Sequence, residues 1–180
     1  MSAQTEMLED LRSLIAYILD KHHDYLRREL PRLEAIIAKM IANHGQERPE
    51  LFQIQRVLQD LQDDISVHLM KEEQVLFPYI AGLEREMETG EPGQPPCFSS
   101  VQYPIRVMRR EHDQALSLLK ELRSATANYT PPNGTTCDCA VSFYSGLADL
   151  EANLLEHIRI ENEQLFPQAI SLEAQCTACP

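Results

Sequence analysis

Apolar residues recur three and four positions apart over long stretches, as in Leu8, Leu11, Ile15, Leu19, Leu26, Leu30, Leu33 and Ile37. That is the period of a helix with one face turned to a core. No stretch of comparable length alternates with the period of two that a half-buried strand needs. Breakers cluster at Asn43–Pro49, Thr89–Pro96 and Thr130–Gly134, where Gly and Pro mark connections. The pattern predicts four helices, over 6–43, 50–88, 101–127 and 137–170. Pro31, Pro78 and Pro167 fall inside or near the ends of these segments and are expected to kink or stop them, because proline removes a backbone donor.

Sliding the chain against itself by 89 residues exposes an internal repeat. His23-Asp24 falls on His112-Asp113, His68-Leu-Met-Lys-Glu72 on His157-Ile-Arg-Ile-Glu161, and Leu76-Phe77-Pro78 on Leu165-Phe166-Pro167. The first and second histidines are 45 residues apart in both halves. A duplicated helical hairpin accounts for this. Two such hairpins about a pseudo-twofold axis predict an all-α fold, an up-down-up-down four-helix bundle made of two repeated helical hairpins. The chain is expected to form one domain over 1–180, with 171–180 as a tail.

His68 and Glu72, like His157 and Glu161, are four residues apart and project from one helix face. Those faces are apolar: Leu61 and Ile65 precede His68, Ile105 and Met108 precede His112, and Leu150 and Leu154 precede His157. Four imidazoles and two carboxylates in a core cost several kcal/mol per unpaired ion, and no lysines or arginines stand at core spacing to compensate. A bound pair of cations resolves the cost. Borderline first-row metals suit these donors, iron or manganese ahead of zinc, since carboxylates bridge two ions and imidazole binds each. The expected ligands are His23, His68, His112 and His157, two per metal, with Glu72 and Glu161 bridging. A solvent-derived oxygen bridge would make five ligands per metal and leave one position open.

For any one of these residues alone, a hydrogen-bonded core histidine or a solvated glutamate is the better reading; the repeated set of six argues for metal. His22 competes with His23, but only His23 pairs with His112 in the repeat. His44 lies 21 residues beyond His23, about 32 Å along a continuous helix, too far for the same centre. Asp24 and Asp113 are candidates to orient the adjacent histidines, exposed helix charge being the equal alternative. The Glu-x-x-His pattern of ferritin-like centres is absent, because the residues three before the histidines are Leu19, Asp20, Ile41, Ile65, Arg109 and Leu154.

Charge narrows the partners. Lys+Arg of 16 against Asp+Glu of 28 gives −12, which repels nucleic acid backbones and anionic lipid headgroups and suits a cationic ligand. Apolar runs such as Leu14–Leu19 are far shorter than a membrane span, and the acidic start at Glu6, Glu9 and Asp10 is no signal peptide. The expected location is the cytoplasm. Five cysteines in such a chain are expected to be reduced thiols. Cys137 and Cys139 open the fourth predicted helix while Cys176 and Cys179 follow its end, so a joint four-sulfur zinc site is not expected. Cys97 falls in the connection between the second and third helices.

The motifs His23-Asp-x6-Pro31, His68-x-x-Lys-Glu72-Glu-Gln-x-Leu-Phe-Pro78, Glu111-His-Asp113 and His157-x3-Glu161-Asn-x-x-Leu-Phe-Pro167 together resemble the hemerythrin-like HHE cation-binding family. The resemblance covers about residues 8–170 and is strongest to the di-iron domain of repair-of-iron-centres proteins. It implies iron, two per chain and oxo- or hydroxo-bridged, on the six residues named above, with manganese or zinc as alternatives in the same cage. His44 matches a further histidine common in that group. Oxygen-carrying hemerythrins have an additional histidine in the second half; here the position four after His112 is Leu116, so reversible oxygen transport is not expected. Repair-of-iron-centres proteins usually carry an N-terminal domain with a cysteine pair, whereas this sequence opens on the first bundle helix. The resemblance implies defence against nitric oxide and oxidative stress and repair of iron–sulfur clusters, by donating iron or binding nitric oxide. Nitric oxide or oxygen would be the small ligands and damaged iron–sulfur proteins the partners. An oxygen- or redox-sensing module without turnover, or metal storage, is the alternative. No nucleophile triad or phosphate loop supports an enzyme of hydrolase or kinase type.

Overall fold

The computed structural model describes residues 10–91, 93, 97–132 and 138–178. Four helical rods account for most of them, and no strand occurs among the described residues. The first rod joins α1 (Leu11–Ile18), a π-helical turn (Leu19–His23) and α2 (Asp24–His44). The second joins α3 (Glu50–Lys71), a π turn (Glu72–Leu76) and α4 (Phe77–Thr89). The third is α5 (Gln102–Ala125), and the fourth joins α6 (Asp138–Ile160), a π turn (Glu161–Leu165) and α7 (Phe166–Ala178). The expected all-α architecture is the one observed. The predicted start of the first helix at residue 6 and of the fourth at Cys137 lie outside the described residues.

Local chemistry sets the rod ends. The Asp10 carboxylate accepts the Ser13 amide at 2.6 Å, and Glu84 of the second rod accepts the amides of Leu11 and Arg12 at 2.8 and 3.1 Å, satisfying donors that the first turn of α1 leaves open. Gly90 ends α4 at φ 71, a left-handed conformation that glycine adopts without a Cβ clash.

Neighbouring rods run antiparallel. Gln53 bonds Glu121 while His68 bonds Glu111, Arg123 bonds Glu151 while Ser100 bonds Glu173, and Arg32 bonds Ser142 while His22 bonds Asn153. Two apolar clusters fill the interior, one around Leu33, Leu58, Leu122 and Phe143 and one around Ile18, Phe77, Ile105 and Phe166. The buried histidines and glutamates form a polar layer between them.

Pro78 and Pro167 stand at interruptions of the α-helical pattern, whereas Pro31 does not. Pro31 sits inside α2 without ending it. Pro78 and Pro167 lie at the second position of α4 and α7, directly after π turns. The residue whose carbonyl a proline would crowd, four positions earlier, is Gln74 or Glu163, and both lie in those widened turns. The expected tail is also helical as far as Ala178. It is tied down at Glu173, which accepts bonds from the Tyr79 hydroxyl at 2.8 Å, the Ser100 hydroxyl at 2.7 Å and the Val101 amide at 2.7 Å.

Candidate metal centre

The structure brings all six expected donors into the polar layer. They form two compact groups: His23, Glu72, His157 and Glu161, and His68, Glu72, His112 and Glu161. The two glutamates are common to both. Glu72 turns Oε2 to His23 Nε2 and Oε1 to His68 Nε2, each at 3.4 Å. Glu161 turns Oε1 to His157 Nε2 at 3.0 Å and Oε2 to His112 Nε2 at 3.1 Å. Each carboxylate therefore offers one oxygen to either group. His23 and His157 bring their Nε2 atoms within 3.2 Å, close to the ~3 Å that separates two donors at right angles when each stands about 2.0–2.1 Å from one ion.

The polar atoms of this layer are short of hydrogen-bond partners. Both oxygens of Glu72, Oε2 of Glu161, Nε2 of His68 and both ring nitrogens of His112 are buried without a hydrogen-bond partner. Orphaned acceptors in an apolar interior are costly, and a cation satisfies several at once. The residues present fit two metal ions, in seats that share their carboxylates.

Charged neighbours orient one histidine of each seat. The His23 Nδ1–H donates to Glu73 Oε1 at 2.7 Å, and Arg27 holds Glu73 at 2.6 Å. The His68 Nδ1–H donates to Glu111 Oε2 at 2.9 Å, and the Lys71 ammonium pairs with the same carboxylate. A carboxylate only accepts, so these bonds place the proton on Nδ1 and leave a lone pair on Nε2, facing the centre. Burial pushes the carboxyls of Glu73 and Glu111 up, but their cations and imidazoles outweigh it and hold both below the ordinary range.

Burial also pushes the imidazoles of His23 and His68 down to about 4, so both are neutral at pH 7. Glu72 is held well above the ordinary carboxylate value, by burial first and then by the charge of Glu161. Burial pushes Glu161 up as well, but His157 and His112 outweigh it and hold it well below. Without cations, Glu72 retains a proton that Glu161 gives up, because two adjacent buried carboxylates do not both ionise.

Residues 14–169 match the hemerythrin HHE cation-binding domain. This chain belongs to that family. The hemerythrin-like chain is also similar to bacterial iron–sulfur cluster repair proteins named YtfE. It is 34% identical to that of Musicola paradisiaca over 165 residues, covering 91% of this chain and 68% of the relative. It is 32% identical to that of Yersinia pseudotuberculosis over 169 residues, covering 94% and 70%. It is 34% identical to that of an Escherichia coli O1:K1 strain over 163 residues, covering 91% and 68%. The family name announces a cation, and the buried histidines and glutamates form two groups that could hold a metal ion.

Around the hemerythrin-like centre, the orienting carboxylates are not those expected. Asp24 and Asp113 are exposed, the equal alternative given for them; Glu73 and Glu111 orient His23 and His68. Sequence reasoning missed both, although each adjoins an expected ligand or its motif. It also passed over His22, which is buried with its ring stacked on His157, centroids 5.4 Å apart and planes at 6°. His44 is exposed at the end of α2, apart from the centre.

A cavity of about 380 Å³ opens between α3, α5 and α6 and is lined by His68, His112 and His157 together with Val67, Lys71 and Arg110. It reaches the His68/His112 seat, the cavity-side seat. Of the His23/His157 seat only His157 lines it and His23 does not, so this seat is the inner one. Among the cysteines, Cys139 is disulfide-bonded, correcting the expectation of reduced thiols throughout. Cys97 is exposed, and Cys176 is half-buried with its thiol directed at the Leu83 carbonyl, 3.7 Å away. Cys137 and Cys179 lie outside the described residues.

Proposed function

We propose that this hemerythrin-like protein holds two iron ions joined by a solvent-derived oxygen bridge, one on His23 and His157 and one on His68 and His112, with Glu72 and Glu161 bridging. The observation that carries this reading is that each glutamate directs one oxygen to a histidine of either seat. Manganese and zinc fit the same donors; the preference for iron comes from the family and from its carboxylate-rich bridging. When bound, the metal pair supplies an electron-rich site for a small ligand such as nitric oxide or oxygen and a store of two exchangeable ions.

The chain's own residues perform the rest. Glu73 and Glu111 hold the imidazoles in the tautomer that presents Nε2. Glu72 gives up its proton on loading and takes one on release, which weakens both seats together. By analogy with the iron–sulfur cluster repair relatives, the protein serves repair of damaged iron–sulfur proteins under nitric oxide or oxidative stress, by iron donation or nitric oxide binding. A net charge of −12 disfavours nucleic acid and anionic membranes. No helix among the described residues is long and apolar enough to cross a membrane, and the proposed place of action is the cytoplasm.

Metal analysis of protein purified without chelator tests the centre, with about two irons per chain expected and none overturning it. For donation, transfer of iron to an apo iron–sulfur protein and to a competing chelator is expected to accelerate when nitric oxide is added. The cavity at the His68/His112 seat favours a second reading, a module that senses oxygen or nitric oxide without giving up its metal. Release unchanged by nitric oxide, with a spectral change on its binding, would select that reading.

A further inference from the structure

The cavity between α3, α5 and α6 measures about 380 Å³, within the roughly 300–1,000 Å³ of pockets that hold small organic molecules and far beyond what a diatomic ligand needs. Ile65, Ala115, Leu154 and Ile158 give it apolar walls. His68 and His112 reach it from the cavity-side seat, where the Nε2 atoms of both are buried without a hydrogen-bond partner. Its charged lining falls into two pairs. Lys71 and Glu111 neutralise each other, and Glu111 also accepts the His68 Nδ1–H at 2.9 Å. Asp64 and Arg110 are exposed and make no hydrogen bond or ion pair among the described residues. Asp64 belongs to α3 and Arg110 to α5, so one wall offers a spare carboxylate and another a spare guanidinium.

The repeat sets these charges apart from their counterparts. The residues 89 positions away from Lys71, Glu111 and Asp64 are Ile160, His22 and Asn153. Ile160 is fully buried, and His22 is buried and bonded to Asn153 at 3.2 Å. On that face the equivalent positions are taken by side chains that pack and pair with one another, whereas on the cavity side they carry charges, and Asp64 and Arg110 are left unpaired. One spare charge of each sign excludes the simpler ligands. A plain anion would satisfy Arg110 but meet the Asp64 carboxylate and a net charge of −12, and a plain cation would meet Arg110. A zwitterion with no net charge matches both.

We propose that this cavity binds a zwitterion of the α-amino-acid class whose side chain carries a metal donor, an imidazole or a thiolate. Its carboxylate pairs with Arg110, its ammonium pairs with Asp64, and its side chain runs between the apolar walls to the open position of the cavity-side metal. The donor end of the inference rests on the two-metal reading above; the two charge contacts need no metal.

The test is calorimetric titration with free histidine, first of the metal-free protein and then of the iron-loaded one, beside two truncated relatives: histamine, which lacks the carboxylate, and imidazolepropionate, which lacks the ammonium. Apoprotein is expected to bind histidine about fivefold more tightly than either, the upper end for exposed ion pairs. Arg110→Gln should remove the preference over histamine alone, and Asp64→Asn the preference over imidazolepropionate alone. Both side chains are exposed, so melting temperature and iron content should stay at the wild-type values. Loading iron should tighten histidine binding about tenfold, as the side chain gains a second anchor. Absence of binding, equal binding of the three ligands, or preferences that survive both variants would overturn the proposal. So would unchanged histidine binding in protein shown by elemental analysis to hold two irons, since the side chain would then not reach the seat. A protein that takes up no iron would defeat the two-metal reading instead, while the apoprotein series would still judge the cavity.

Discussion

At the cavity-side seat both histidines, His68 and His112, line an opening of about 380 Å³, whereas at the inner seat only His157 lines it, with one ring face against His22, and His23 is fully buried. Both seats draw on Glu72 and Glu161, and both have one histidine backed by a carboxylate, Glu111 or Glu73. Duplication of a hairpin thus reproduced the donors but not their surroundings. His22 and Glu111 occupy equivalent positions in the repeat, yet one is a neutral imidazole beside His157 and the other an anion holding His68. Equal ligand sets need not give equal access, since access is decided by what packs outside the donors.

The largest expected effect falls on what the seats share. Glu72→Leu or Glu161→Leu removes an oxygen from both, and iron content should fall from about two per chain to well below one by elemental analysis. Loss of a single iron would mean that the glutamates do not bridge. Glu73→Gln and Glu111→Gln act on one seat each. Both should weaken metal binding by about 10–100-fold, at the inner and the cavity-side seat respectively, as read by competition with a calibrated chelator. Equal effects of both variants on both ions would erase the distinction between the seats.

The pH dependence of the apoprotein is a smaller effect with a definite sign. His23 and His68 titrate near 4 in the fold against an ordinary 6.5. The folded state binds fewer protons between those values, so their stabilisation is complete above about 6.5 and is lost as pH falls toward 4. Glu72, held high, works in the opposite sense: its contribution is present below the ordinary carboxylate value and is lost as pH rises through its raised one. Thermal melts of apoprotein should therefore rise from pH 4 to about 6.5, with Glu72 opposing the rise above the ordinary carboxylate value, and Glu72→Gln should steepen it. The smallest effect is expected at exposed His44, where His44→Leu should leave iron content and melting temperature within error of wild type.

The six donors were legible because helical period and the 89-residue offset supply the same residues independently. Spacing of four puts His68 beside Glu72 and His157 beside Glu161 in any helix, and an apolar face turns them inward. Glu73 and Glu111 were not legible as partners, since their contacts with His23 and His68 bridge 50 and 43 residues between rods. The same limit led to Asp24 and Asp113, which are neighbours in sequence but face outward.

Periodicity, breakers and self-similarity by themselves determined four helices, an inward polar layer and the identity of its donors, because these follow from local geometry repeated along the chain. Only the packing of rods decided which histidines share a seat, which seat meets the cavity, and that His22 is buried with a bare nitrogen. The π turns, too, depend on packing: an extra residue in a turn weakens the local hydrogen-bond pattern, and the side chains it turns into the core compensate. Local sequence sets what each helix offers, and the rotation of one rod against another sets what that offer meets.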